Sequence, residues 1–195
     1  MNDSVFLAYL QLGFHHIFNL QAYDHLAFLV ALAAPFVWRN WRNVVILATA
    51  FTIGHSITLA LAVLQIIPVN ESLIETLIPV TILFTSLFNI YQQLKPAEKT
   101  VGFWVQNLMT VVFGLIHGMG FSNYLRALLG AESKPVLELF SFNLGLEIGQ
   151  VLIVLLALLL NTFAIRFLPR KTWIIVVSGI TALVSVYILF ELSVA

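Results

Sequence analysis

The chain has 195 residues, of which 61% are hydrophobic and 9% are charged, and its formal net charge is zero. A composition this apolar excludes an ordinary soluble domain and predicts a single integral membrane domain over residues 1–195, surrounded by a lipid bilayer. The sequence contains no cysteine, which excludes disulfides and thiolate metal sites, and no basic tract, which argues against nucleic acid as a partner.

Seven apolar segments follow one another along the chain, and their lengths predict helices. The first two, residues 4–20 and 24–38, are short. The other five are long enough to cross about 30 Å of hydrocarbon, and they cover residues 43–67, 73–94, 103–129, 137–166 and 172–193. We therefore expect an all-α polytopic bundle of six or seven transmembrane helices. The number depends on whether residues 4–20 span the bilayer or lie in one leaflet, and we favour a span.

Basic residues are concentrated on alternate connections between these segments. The richer side holds Arg39, Arg42, Lys95, Lys99, Arg166, Arg170 and Lys171. The other side holds only Arg126 and Lys134. The positive-inside rule then predicts that the richer side is cytoplasmic and that the C-terminus is extracytoplasmic. We expect the protein to lie in a bacterial inner membrane.

All five histidines lie within apolar segments or at their ends. A charged group at the centre of a membrane helix costs roughly 2.5–3.5 kcal/mol by insertion scales, so such residues indicate a functional site. His15 and His16 end the first segment on the side where Asp24 and His25 begin the second. Adjacent helical residues point about 100° apart, so we expect one histidine of the pair to face the site and prefer His16. A polar cap at the membrane interface is the alternative interpretation.

The third and fifth segments each carry a histidine near the middle. His55 precedes Ser56, and His117 lies in a run with three glycines. Glycine is a weak helix former, so such a run predicts close packing, a kink or a nearby ligand. Asn107, Thr110, Gly114 and His117 follow one another at spacings of three or four residues, so they lie on one face of the helix. Tight helix packing, with the imidazoles serving only as hydrogen-bonding groups between helices, is the structural alternative.

The sixth segment carries a carboxylate within a row of amides. Asn143, Glu147 and Gln150 fall at i, i+4 and i+7 and therefore share one helix face. Glu147 would protonate if alone in hydrocarbon, but beside imidazoles and a cation it can stay ionised. Glu75, near the outer start of the fourth segment, is either a pathway carboxylate or a solvated acid at a helix N-terminus.

Counted at about 1.5 Å per residue, these ionisable groups gather between the midplane and the outer surface. Imidazoles with carboxylates suit a borderline divalent cation such as nickel, zinc or cobalt. The predicted metal ligands are His16, Asp24, His25, His55, His117 and Glu147. The residues predicted to support them or to line the pathway are His15, Ser56, Glu75, Asn107, Thr110, Asn143 and Gln150.

Five blocks of sequence, in order, resemble the HupE/UreJ family. They are GFHH at 13–16, DHL at 24–26, FTIGHSITL at 51–59, FGLIHGMGF at 113–121 and FNLGLEIGQ at 142–150. The family comprises membrane accessory proteins of nickel hydrogenases and ureases, regarded as nickel or cobalt permeases. The resemblance implies that the metal pathway includes the Asp24-His25 pair, His55, Glu75, His117 and Glu147.

Two functions use these residues. In a divalent metal permease the outer ligands strip water from the cation, and the row of Asn107 and Thr110 passes it inward. In an intramembrane zinc hydrolase, a zinc-bound water and a carboxylate base (Asp24 or Glu147) cleave a lipid-like amide or ester. A polar track from His117 to the cytoplasm would support the permease, whereas a lateral opening to lipid would support the enzyme. The resemblance favours the permease.

A metal sensor or an accessory subunit without turnover is a third, weaker hypothesis. The metal, the direction of transport and the oligomeric state stay open, a homo-oligomer included. Nitrogen and oxygen ligands accept several divalent metals according to geometry and supply, so the ligand types alone do not select one.

Overall fold

The computed structural model describes residues 2–19, 23–95, 102–129 and 135–194. Over these ranges the chain forms α-helices, one 3-10 turn at Trp38–Asn40 and no strand. The helices are α1 (Asn2–Phe18), α2 (Asp24–Ala33), α3 (Trp41–Val63), α4 (Glu71–Leu94), α5 (Phe103–Gly120), α6 (Ser122–Leu129), α7 (Val136–Ala164) and α8 (Arg170–Val194). The all-α prediction is confirmed. Lys99 and Lys134, two of the basic residues counted above, lie outside the described residues.

Four stretches of the described chain are long and apolar enough to cross a membrane: α3 with the turn before it, α4, α7 and α8. The bent pair of α5 and α6 makes a fifth if the two helices form one span. α1, with 17 residues, and α2, with 10 residues, are shorter. The structure therefore supports a membrane protein with four or five spans, and six or seven spans with an extracytoplasmic C-terminus stay predictions.

Two of the apolar segments differ from simple helices. α2 ends at Ala33, before the predicted limit at residue 38, because Pro35 has no N–H with which to continue the helical hydrogen bonds. The segment predicted over 103–129 is bent by 47° between α5 and α6. Gly118 and Gly120 precede this bend, and glycine is a weak helix former. Phe121 at the bend stacks on Phe142 of α7, with ring centroids 5.2 Å apart.

Glycines bring two pairs of helices into backbone contact. A Cβ atom added at Gly54, Gly114 or Gly118 would come within 3.0 Å of a carbonyl oxygen across the α3–α5 contact. The same holds for Gly13 and Gly145 across the α1–α7 contact. Small residues allow membrane helices to approach this closely. The α3–α5 contact therefore fixes the relative positions of the two helices that carry the central histidines.

The short helix α2 is held by amide side chains from two longer helices. The last carbonyl groups of a helix have no partner within it. Asn89 of α4 donates its Nδ2 to the Ala31 carbonyl at 2.7 Å. Asn161 of α7 donates to the carbonyls of Ala33 and Phe36, both at 3.0 Å. These bonds let α2 end inside the bundle.

Hydroxyl groups join α4 to α8. The Ser86 and Thr181 hydroxyls are 2.8 Å apart, and the Ser185 hydroxyl donates to the Pro79 carbonyl at 2.5 Å. Ser86, Thr181 and Ser185 are all buried. Bonds of this kind are favourable between helices that lie in lipid.

We predict that Gly114→Ala lowers the free energy of unfolding by about 1–3 kcal/mol, because the new methyl group forces the backbones of α3 and α5 apart. The matched control is Gly179→Ala on α8, where nothing lies within 4 Å of the added Cβ. The control should be neutral or slightly stabilising, since alanine is the better helix former. Thermal unfolding in detergent measures both variants, and equal melting temperatures would contradict the close α3–α5 contact.

Candidate functional site

Four histidines from four helices form one buried cluster. His16 of α1, His25 of α2, His55 of α3 and His117 of α5 are each at most 8% exposed. His25 is central, with its ring centroid 4.8 Å from that of His16, 5.2 Å from His117 and 5.8 Å from His55. Side chains up to about 100 positions apart in the sequence thus share one site, which we call the imidazole cluster.

Two neighbours orient rings of the imidazole cluster. The Asp24 carboxylate lies 3.1 Å from Nδ1 of His25, and it also accepts the backbone N–H of His25 at 2.8 Å. The Thr81 hydroxyl of α4 lies 2.9 Å from Nε2 of His117. A carboxylate bonded to one imidazole nitrogen fixes the ring tautomer and leaves the other nitrogen available to a ligand.

Five of the other ring nitrogens of the cluster are buried and have no hydrogen-bond partner within the described structure. They are Nε2 of His16 and of His25, both nitrogens of His55, and Nδ1 of His117. Native proteins pair most buried polar groups, and each unpaired one costs roughly 1–3 kcal/mol. The cluster therefore concentrates several lone pairs and N–H groups that an ion or a polar ligand can use.

The side chains of the described residues, as they stand, form no group of three or more histidine and carboxylate residues that could hold a metal ion. Imidazole nitrogens bind zinc at about 2.0–2.1 Å. The rings, or the helices that carry them, must therefore move before several of these nitrogens can share one ion.

A cavity of about 380 Å³ opens beside the cluster at one end of the bundle. Its lining includes His16, His25 and His117 together with Asp24. Glu75 of α4, Glu191 of α8 and the Tyr23 side chain complete its polar part. None of its described lining residues is lysine or arginine, so its electrostatic potential favours cations.

Several predicted site residues lie away from this cavity. Glu147 accepts a hydrogen bond from Thr49 of α3 at 2.5 Å, and its second oxygen is buried without a partner. Gln150 accepts one from Thr52 at 2.8 Å. Asn143 donates to the Leu139 carbonyl of its own helix at 2.7 Å. The structure thus joins Glu147 and Gln150 to α3, and none of these three residues of α7 lines the cavity.

The other predicted site residues also differ in whether they reach the cluster or the cavity. His15 is exposed, whereas its neighbour His16 is buried in the cluster. Ser56 is half-buried and does not line the cavity, and Glu75 does line it. Asn107 donates to the Phe103 carbonyl of its own helix at 3.0 Å.

A second, much smaller cavity of about 30 Å³ lies towards the other end of the bundle. Its polar lining residues are Thr85, Asn89, Gln106 and Thr110. A layer of three phenylalanine rings, those of Phe28, Phe51 and Phe113, lies next to both the imidazole cluster and this small cavity. The ring of Phe28 lies 4.8 Å from that of Phe51, 5.3 Å from His117 and 6.1 Å from Phe113, and Phe113 lines the small cavity.

Sequence reasoning missed Glu191, which the structure brings into the cavity from α8. A signal was present, because Glu191 is the one charged residue in the apolar run 172–193. Its position in the last turn of a helix is also typical of a solvated surface acid, and spacing along one helix cannot separate the two cases.

Comparison with known proteins gives one family. A family model described as HupE / UreJ protein matches residues 1–192, which is nearly the whole chain. No curated protein and no solved structure matches the chain.

We predict that Thr49→Val destabilises the fold by about 1–3 kcal/mol, because it removes the hydroxyl that Glu147 accepts from and leaves that carboxyl buried without a partner. Combining it with Glu147→Leu should recover most of the loss. Thr76→Val is the control, since the Thr76 hydroxyl is exposed and bonds only its own helix. The midpoints of unfolding in detergent measure these losses of stability. If the losses of the two single variants simply add in the double variant, the pairing of Thr49 with Glu147 is refuted.

Proposed function

Since the chain belongs to the HupE/UreJ family, we propose that it is a membrane permease for a divalent transition-metal ion of the nickel or cobalt type. The family is associated with accessory functions in nickel and cobalt uptake. The observation that carries the proposal for this chain is the imidazole cluster, whose unpaired buried nitrogens adjoin a cavity rich in carboxylates. Imidazole is a good ligand for nickel, cobalt and zinc ions.

The ion binds through the four histidines in this proposal. Nε2 of His25 is the free nitrogen of that ring because Asp24 occupies the Nδ1 side, and Nδ1 of His117 is free because Thr81 occupies Nε2. Asp24 therefore orients His25 and balances the charge of the ion. His16 and His55 supply the other ligands, and modest affinity allows release.

The direction of entry follows from charge. Six basic residues lie at the end of the bundle opposite the cavity, and they are Arg39, Arg42, Lys95, Arg166, Arg170 and Lys171. With the positive-inside rule, the cavity then opens to the extracytoplasmic side. The ion passes from the cluster across the phenylalanine layer to the small cavity, where Thr85, Asn89, Gln106 and Thr110 supply oxygen ligands. In this proposal transport includes a rearrangement of the three rings, because Phe28 contacts His117 and Phe113, and Phe113 lines the small cavity.

One observation favours a second candidate function, an intramembrane zinc-dependent hydrolase. A groove lined by Tyr23, Leu183, Val184, Tyr187 and Glu191 adjoins the cavity and shares Tyr23 and Glu191 with it. The apolar side chains of this groove suit an acyl chain entering sideways from lipid. In this alternative the histidines of the cluster would hold zinc, which would supply an activated water for the hydrolysis of an amide or ester, and Asp24 would serve as the base.

Reconstituted vesicles test the two functions on the intact chain. We predict that wild-type protein accumulates Ni²⁺ or Co²⁺ inside proteoliposomes. His16→Ala, His25→Ala and His55→Ala should each reduce this uptake about tenfold or more, because each loses a ligand. His15→Ala is the matched control and should stay within about twofold of wild type, since His15 is exposed and is not part of the cluster.

Elemental analysis of the purified protein and an assay with a fluorogenic lipid amide complete the experiment. Tightly held zinc with hydrolysis and without ion flux would replace the permease by the hydrolase. Uptake that survives in all three cluster variants would contradict both functions at this site.

A further inference from the structure

The cavity contains more carboxylates than the imidazole cluster uses. Asp24 is bonded to His25, but Glu75 and Glu191 are exposed and line the same cavity from α4 and α8. The ring nitrogens of His16 and His25 that have no partner belong to side chains only 8% and 4% exposed. The cavity thus has an accessible acidic part and a deeper part made of imidazole.

The hydroxyl bonds between α4 and α8 bring Glu75 and Glu191 to similar heights. Pro79 and Ser185 are joined across the two helices. Glu75 lies four residues beyond Pro79, which is about 6 Å along α4, and Glu191 lies six residues beyond Ser185, which is about 9 Å along α8. The two helices run in opposite directions, since Ser86 pairs with Thr181 at the other end of the contact. Both carboxylates therefore lie beyond the same contact, separated in height by about 3 Å.

Three further groups make this part of the cavity suitable for a cation. The Tyr187 hydroxyl donates to Glu191 at 2.5 Å, and the Tyr23 side chain lies within hydrogen-bonding reach of the same carboxylate. These bonds restrict the positions that Glu191 can take. On α4, Pro79 has no N–H to give to the Glu75 carbonyl four residues earlier, and carbonyls released in this way can coordinate cations in transporters.

We propose that Glu75 and Glu191 form a loading site that captures a hydrated divalent cation and delivers it to the imidazole cluster, a proposal that rests on the proposed transport function. Carboxylate and carbonyl oxygens suit a cation that keeps several waters, including Mg²⁺, whereas imidazole selects a transition metal after water is lost. The loading site sets the rate of capture, and the imidazole cluster sets the choice of metal.

The test uses full-length protein in proteoliposomes, with Co²⁺ as the transported ion and Mg²⁺ as a competitor. Glu75→Gln and Glu191→Gln should each raise the KM for Co²⁺ about three- to tenfold, because a charged cleft concentrates counter-ions. Their maximal rates should match wild type. Millimolar Mg²⁺ should raise the KM of wild type and have little effect on the double variant Glu75→Gln/Glu191→Gln. The control is Glu138→Gln, in the first turn of α7 and outside the cavity lining, which should behave as wild type.

The absorption spectrum of Co²⁺ bound to the purified protein separates the two sites. The saturated spectra of wild type and the double variant should coincide, because imidazole ligation is unchanged and the fold is intact. A KM for the double variant within twofold of wild type, or equal inhibition of both by Mg²⁺, overturns the loading site. An altered Co²⁺ spectrum of the double variant also overturns the loading site, because it would mean that the two carboxylates bind the ion at the imidazole cluster itself. A wild-type protein that neither binds nor transports Co²⁺ overturns the proposed function itself.

Discussion

Hydrogen-bond satisfaction inside an apolar bundle governs the architecture of this protein. Polar groups withdrawn from water need partners, and most of those described here have them. The terminal carbonyls of α2 receive amide hydrogens from Asn89 and Asn161, and the buried hydroxyls of α4 and α8 bond to one another. Five ring nitrogens of the histidine cluster depart from this rule, and so do single atoms of Gln92, Asn143, Glu147, Gln150 and Ser178 among the described residues. The concentration of such atoms on four neighbouring rings gives the cluster its chemical meaning.

The short helix α2 illustrates how the scaffold serves the site. A helix of 10 residues crosses about half of a hydrocarbon core, so both of its ends must be satisfied within the protein. Amides close its C-terminal end, and Asp24 begins its N-terminal end, where an acidic group is favourable. His25, the next residue, is then placed at the centre of the cluster.

Sequence periodicity predicted the helical class, and helical geometry predicted that one histidine of the His15–His16 pair faces the site, because both depend on local spacing. The sequence pattern did not predict that Glu147 pairs with Thr49. A polar face on one helix indicates that it has a partner, but it does not identify the neighbouring helix. A kink was one of three interpretations of the glycine run around His117, and the structure has a bend after Gly120, but the unbroken apolar segment indicated neither its place nor its angle. Glu191 was missed for a related reason: its role depends on which helix packs against α4, and no local pattern contains that information.

The backbone contacts through glycine define two closely packed helix pairs within the bundle. α3 and α5 touch through Gly54, Gly114 and Gly118, and this contact fixes the positions of His55 and His117 relative to each other. α1 and α7 form the other pair, which carries His16, and hydrogen bonds from Thr49 and Thr52 join α3 to α7. A tilt of one pair against the other would strain those bonds and change the separation of His16 from the α3–α5 histidines, while the distance between His55 and His117 stayed fixed. The number of imidazoles that can reach one point in space is thereby tied to the relative tilt of two preformed helix pairs.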